Sequence, residues 1–294
     1  MKKAIHSPFM SSHAKAGRVA LLVFSCALMT LYGCGGGGDG ADKKPANNTA
    51  QPAAPAPAAA DAARIIERNR ALDNSRDSTM KMTARIQGGD GVPPEVAMTV
   101  YRKREADGRL LMLIEFTSPP QERDRSAIVT VSPQGDVEGT RYAQSGDTFV
   151  STKGVLSEDS LFGMTLQELA DGQPEKYDFK LAGEEAVGAA TAYKLDGALK
   201  PGAESKFNRL VMLVSKENFA TLGAEFYDNH NALMRRLTVD KMESVAGRPT
   251  RMRWVVDNTA KQKKIEFTTA GAKYDQGLND SMFTREHLKK VVAK

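Results

Sequence analysis

Between Met80 and Thr269, apolar residues recur at every second position in short runs, and turn-forming residues break the runs about every ten positions. A period of two places alternate side chains on opposite faces, the pattern of strands with one face buried. Val96, Met98 and Val100 alternate with Ala97, Thr99 and Tyr101, and Asp107-Gly108 follows as a hairpin signal. Leu110 to Phe116 is apolar on both faces until Glu115. Gly88-Gly89-Asp90-Gly91, Pro133-Gln134-Gly135-Asp136 and Asp228-Asn229-His230-Asn231 read as further turns. Three segments break the rhythm with helical spacing. Asp61–Leu72 has Ile65, Ile66, Asn69 and Leu72 on one side and Asp61 as a candidate N-cap; Thr165–Leu169 is a short capped segment; Thr284 caps Arg285–Val292. The pattern predicts a mainly β fold, an open and incomplete antiparallel barrel of about 11 strands with short covering helices.

A strand of about nine residues spans close to 30 Å, and a sheet of this width has to curl. A curl too wide for its own side chains to fill encloses a hollow. The chain has 13 methionines, and methionine is flexible enough to face ligands of varied shape. Met98, Val100, Met112, Ile114, Phe116, Met212, Val214, Phe226 and Trp254 are the expected lining, with Met252 reading onto the same face as Trp254. The competing reading is an ordinary sheet packed on helices, but the helical segments are too few and short to cover so wide a face.

The first 33 residues are a different object. Lys2, Lys3, Lys15 and Arg18 precede an apolar run from Val19 to Leu31, with no acidic residue. That is the layout of a secretory signal, and the run falls short of the roughly 20 residues needed to cross a bilayer. Leu31-Tyr32-Gly33-Cys34 reads as a lipobox, with a small residue before a cysteine that would be acylated. Cys26 fits the same pattern loosely but is followed by further apolar residues, which makes a poor mature N-terminus. Gly35–Gly38 and the Ala/Pro/Asn/Gln-rich stretch to Ala60 follow, too poor in large apolar side chains to form a core, and so read as a spacer. The expected organisation is residues 1–33 as signal, 34–60 as acylated N-terminus and linker, and 61–294 as one half-barrel domain.

Composition narrows function. Of 41 Lys+Arg and 36 Asp+Glu, the signal holds four basic residues and no acid, leaving 37 against 36. A nearly neutral mature chain lacks the basic surplus of a nucleic-acid binder. Past the signal the histidines are His230 and His287, and the sole cysteine is Cys34. This excludes the common Cys/His zinc sites and a cysteine nucleophile. No phosphate loop or nucleophile elbow is present, and Glu184-Glu185 and Glu158-Asp159 read as exposed charge in preference to acid/base pairs. No catalytic residue, metal or cofactor is expected.

Three passages in order give the chain a resemblance to a known family. They are Leu161-Phe162-Gly163-Met164 leading into Thr165-Leu166-Gln167-Glu168-Leu169; Ala224-Glu225-Phe226-Tyr227-Asp228, a turn, and Leu233-Met234-Arg235-Arg236-Leu237; and Tyr274-Asp275 through Leu278-Asn279-Asp280-Ser281-Met282-Phe283-Thr284. From about Ala62 to Val292 this order resembles the LolA/LolB-like outer-membrane lipoprotein-sorting proteins. The resemblance implies an incomplete barrel with a helical lid and an apolar cavity for acyl chains, with Phe162 and Met164 at the lid or entrance. It also implies the lipoprotein subtype, anchored in the outer membrane, since Gly35 replaces the aspartate that retains lipoproteins in the inner membrane. The expected partners are acyl chains of lipids or lipoproteins, the membrane through the anchor, and an envelope transporter. The alternative is an accessory lipoprotein that docks on such a transporter and carries nothing. Mass spectrometry of the membrane-extracted protein should find an N-terminus at Cys34 bearing acyl chains, and Cys34→Ser should remove that mass and shift the protein out of the detergent phase.

Overall fold

The computed structural model describes residues 57–88, 95–153 and 174–294. Helix α1 (Pro57–Ala71) is followed by strands β1 (Asp77–Gln87), β2 (Glu95–Arg104), β3 (Leu110–Ser118), β4 (Ala127–Val131), β5 (Val137–Ala143) and β6 (Thr148–Lys153). A second run holds β7 (Tyr177–Val187), β8 (Ala190–Leu199), β9 (Arg209–Ser215), β10 (Thr221–Tyr227), β11 (Leu233–Val245), β12 (Arg248–Asn258) and β13 (Lys263–Tyr274), and helix α2 (Arg285–Val292) closes the chain. All thirteen strands form one antiparallel sheet in the order β6-β5-β4-β3-β2-β1-β13-β12-β11-β10-β9-β8-β7. Every alternating run is used, down to the five residues of β4, which is why the strands outnumber the expected 11. Both arms are meanders of hairpins, and one non-local ladder, β1 to β13, joins them. No ladder joins β6 to β7 among the described residues, so the barrel is open there.

The sheet curls. β3 and β9 stand seven places apart in the strand order, roughly 34 Å if the sheet were flat. Yet Met112 of β3 and Met212 of β9 line one cavity, and Ile114, Val129, Leu210 and Phe226 belong to one buried cluster. At the open side, Lys176 before β7 approaches Asp136 of the β4–β5 turn at 3.8 Å.

Helix α1 starts four residues before Asp61, inside the tail of the expected linker, because the Ala58–Ala60 run has strong helix propensity. Asp61 therefore sits within the helix and pairs with Arg64 at 2.9 Å instead of capping it. Ala62, Ile65 and Ile66 are buried in the main core. Asn69 donates to the Phe219 carbonyl at 2.7 Å and to Thr221 Oγ1 at 3.0 Å, which pins the helix across the β9–β10 turn.

The doubly apolar character of β3 has a simple cause. Met112, Ile114 and Phe116 face the core, while Leu113 faces the opposite side, where it is buried with Ile128, Tyr142, Leu288 and Val292. Helix α2 thus covers the convex face, with Thr284 capping it by accepting from the His287 N–H. The route from β13 to α2 depends on Asp77 at the head of β1. Its buried carboxylate accepts from the backbone N–H groups of Gln276, Gly277 and Leu278 at 2.7, 2.9 and 3.1 Å. Asp275 beside it, at φ +52, accepts from the Arg76 N–H and from Arg248. The third resemblance passage is therefore a corner that carries the chain from the sheet's rim to its outer face. Asp77→Ala should lower unfolding stability by about 3 kcal/mol, since three backbone donors lose a charged acceptor, as read from urea denaturation followed by circular dichroism.

Candidate functional site

The concave side of the sheet encloses an open cavity of about 250 Å³. This is roughly twenty times the space one water requires. Antiparallel order makes each strand contribute in turn. On β2, Met98 lies deep, Val100 above it and Arg102 at the top; on β3 the order from top to bottom is Met112, Ile114, Phe116. On β12 Thr250 and Arg251 lie above Trp254, and on β13 Tyr274 lies above Phe267. Across the strand order, β9 and β10 add Leu210, Met212, Ala224 and Phe226. The deep half is thus hydrocarbon, thioether and aromatic ring. Trp254 stacks on Phe267 with centroids 5.0 Å apart and planes within 13°. Phe226 is backed by Phe207 at 5.0 Å, and Phe207 is fully buried.

The upper half is polar. The end of α1 brings Asn69, Leu72 and Asp73 to the rim, and the sheet brings Arg102, Arg248, Thr250, Arg251 and Tyr274. Arg102 pairs with Asp73 at 2.9 Å, and Arg104 reaches the same carboxylate oxygen at 3.5 Å. Arg248 pairs with Asp275 at 2.8 Å and lies over the Tyr274 ring. Thr250 and Tyr274 share a hydroxyl hydrogen bond of 2.7 Å. The Arg76 backbone N–H and the Arg248 guanidinium hold the Asp275 carboxyl below the usual carboxylate range.

Eight of the nine expected lining residues face this cavity: Met98, Val100, Met112, Ile114, Phe116, Met212, Phe226 and Trp254. Val214 does not. It is fully buried in the core, at the upper end of β9 where α1 and the β9–β10 turn cover the strand. Met252 is also displaced from the face it was expected to share with Trp254. The β11–β12 register steps from Met242↔Arg251 to Lys241↔Arg253, leaving Met252 as an extra residue. A bulge of this kind re-aims the side chains beside it, and Arg251 takes the cavity position. Alternation alone could not reveal that arginine. Arg102 and Arg248 fall on the cavity face at the two-residue spacing of Met98 and Val100 and of Trp254, whereas the α1 residues at the mouth have no local signal. Cys34, Phe162, Met164 and the Thr165–Leu169 helix lie outside the described residues.

Among the described residues, the carboxylates lining the cavity reduce to Asp73, which is paired with Arg102. Glu184 and Glu185 of β7 pair with Lys216, just past β9, and Lys194 of β8, and among the described residues no cluster of His, Cys, Asp and Glu could hold a metal ion. No helix of the described residues is long and apolar enough to cross a membrane.

Comparison with known proteins places this geometry. The model of a protein family described as "Uncharacterized protein" matches residues 108–290. The chain belongs to that family. No curated protein matches it. A crystal structure of a DUF1329 family protein from Desulfovibrio piger shares 23% identity, covering 79% of this chain and 99% of the other, with a TM-score of 0.72. A putative outer membrane lipoprotein-sorting protein domain from Vibrio parahaemolyticus shares 18% identity over 79% and 99%, with a TM-score of 0.67. A LolA superfamily protein from Nitrosomonas europaea shares 15% over 77% and 98%, at 0.59. Likeness at these identities establishes the fold, which is LolA-like.

The chain's single tryptophan, Trp254, lines the cavity, so its emission reports occupancy. Titration with a brominated fatty acid should quench it strongly, and the unbrominated chain should shift it to shorter wavelength. An unchanged spectrum at saturating chain would place the ligand elsewhere.

Proposed function

We propose that this family member is a membrane-tethered periplasmic binding protein that takes acyl chains of lipids or lipoproteins into its half-barrel, in outer-membrane lipoprotein sorting or transport. One observation carries the reading: a 13-stranded curl leaves a hollow whose deep half is apolar and whose mouth is open. Hydrocarbon moved from water into such a site gains about 0.8 kcal/mol per buried CH₂. A preformed cavity spares part of the ordering cost of binding. Binding by burial needs no covalent step. Met80, Met82, Met98, Met112 and Met212 line the hollow, and methionine adapts to chains of different length and branching.

The description of the Vibrio parahaemolyticus domain supports the lipoprotein-sorting role, and the signal and lipobox ending at Cys34 support an acylated anchor in the outer membrane. On this reading residues 34–56 span the distance between bilayer and domain, and Phe162 and Met164 serve the entrance. The membrane holds the donor or acceptor end of the transfer, and an envelope transporter supplies the other.

The test is direct. Solvent extracts of the natively purified protein should contain lipid in near-stoichiometric amount, and delipidated protein should bind a fluorescent fatty acid. Ala224→Phe, which adds a ring beside Met212 inside the hollow, should weaken that binding at least tenfold, while overpacking lowers stability by about 1–3 kcal/mol. An extract free of lipid together with no binding of the fluorescent chain would favour the docking module that carries no cargo.

A further inference from the structure

Methionine is concentrated in the hollow beyond what strand formation asks for. Three of the 13 methionines fall in the first 33 residues, and of the ten that remain, Met80, Met82, Met98, Met112, Met212 and Met242 line the cavity. Leucine contributes Leu72, Leu210 and Leu237 to the same lining. Strands favour β-branched and aromatic side chains, so an apolar wall does not call for methionine. Adaptability to varied chains is one property of a thioether. The other is a sulfur that takes up oxygen reversibly.

The six stand on five strands and on both arms of the sheet. Met80 and Met82 share a face of β1, and Met82 is directly opposite Met98 of β2 in the ladder. Met98 is in turn paired with Phe116 of β3, so this pair of thioethers has a phenyl ring next in register. Met112 of β3 belongs to the same arm, and Met212 of β9 and Met242 of β11 to the other. Met82, Met98, Met112 and Met212 are buried, and the open hollow is the side from which a small solute meets them. Met234, Met252 and Met282 do not line it. Past the signal the sole cysteine is Cys34, which the lipobox reading commits to acylation, so thioethers are the sulfur left to react. On the carrier reading the domain works in the periplasm, an oxidising compartment.

We propose that the lining methionines are an oxidation site through which hydrogen peroxide shuts off chain binding in the empty protein. This rests on the carrier reading and adds a regulation of the same cavity. The thioether sulfur attacks one peroxide oxygen with a lone pair, so that an S–O bond forms and the O–O bond breaks. The departing hydroxide takes the proton of the transferred oxygen and leaves as water. The sulfur loses two electrons and the peroxide gains them, and the product is a sulfoxide. Its dipole then faces hydrocarbon, where a polar group without a hydrogen-bond partner is costly. A bound chain covers the sulfurs, so the occupied protein resists the same oxidant.

The test treats delipidated protein with hydrogen peroxide, with and without dodecanoate, and maps the oxidised methionines by peptide mass spectrometry. In the empty protein the six lining methionines should each gain one oxygen. Dodecanoate at about ten times its Kd should slow this about tenfold, while Met252 and Met282 react equally fast in both samples. The oxidised protein should bind the fluorophore N-phenyl-1-naphthylamine about tenfold more weakly, the size expected of one unpaired polar group in an apolar wall. Methionine sulfoxide reductases of both stereospecificities should restore the affinity. The double variant Met82→Leu, Met98→Leu should lose less affinity on oxidation, relative to its own untreated form. Sulfoxides throughout the lining with unchanged affinity would overturn the oxidation site and leave the carrier reading intact. So would a loss of affinity accompanied by loss of the strand signal in circular dichroism, which marks unfolding. Untreated protein that binds neither the fluorophore nor dodecanoate would overturn the carrier reading and this regulation with it.

Discussion

The ladder between β1 and β13 is the interaction on which the rest of the architecture depends. Every other pairing joins strands adjacent in sequence, but this one matches Ser78 with Tyr274 through Gln87 with Lys264. It closes a loop of nearly the whole domain, at an entropic cost of roughly 5 kcal/mol for a loop of this length. Without it the chain would hold two separate meanders, β1–β6 and β7–β13, each with one apolar face and nothing to place against it. With it, β1 sits near the middle of a sheet wide enough to curl, and the two apolar faces meet across the hollow. Asp77 and Asp275 hold the same junction from outside the ladder, one gripping the backbone that leaves β13 and the other gripping Arg76 and Arg248.

Much of this was legible in the sequence because alternation is a local property. Met98 and Val100, Met112, Ile114 and Phe116 share a face by spacing alone, and the curl makes that face concave. The double burial of β3 was legible too, as a run apolar on both sides, though not its cause. Leu113 is buried because α2, some 170 residues later, lies across it. The failures occur where a distant element or a register shift intervenes. Val214 continues the Met212 pattern correctly, but α1 crosses the end of its strand. Met252 continues the Trp254 pattern until a bulge inserts one residue and hands the position to Arg251. The β1–β13 pairing has no local signature at all, since register across distant strands is decided by how whole faces match.

Among the described residues, both helices cover the sheet and leave the cavity open. Helix α2 covers the convex face of β3 to β5, and α1 covers the upper ends of β9 and β10. The end of α1 reaches the mouth with Asn69, and neither described helix enters the deep half. The deep rings close it from below: Phe226 rests on Phe207, whose own carbonyl is held by the Tyr177 hydroxyl. A hollow with a floor of aromatic rings and a rim that carries Arg102, Arg248 and Arg251 is apolar at one end and polar at the other.

The open margin of the sheet is held differently from the seam of a closed barrel. A closed barrel fixes its bore through strand number and shear, so its width cannot change without breaking hydrogen bonds. Here the described ladders stop at β6 and β7, and the two margins approach through the contact between Lys176 and Asp136. The Glu175 side chain also lies against Gly135 of the same turn. Packing across the hollow, not a continuous ladder, therefore sets its width among the described residues. Among the described residues the open margin is held by side-chain packing, with Val137 of β5 and Tyr177 of β7 in one buried cluster.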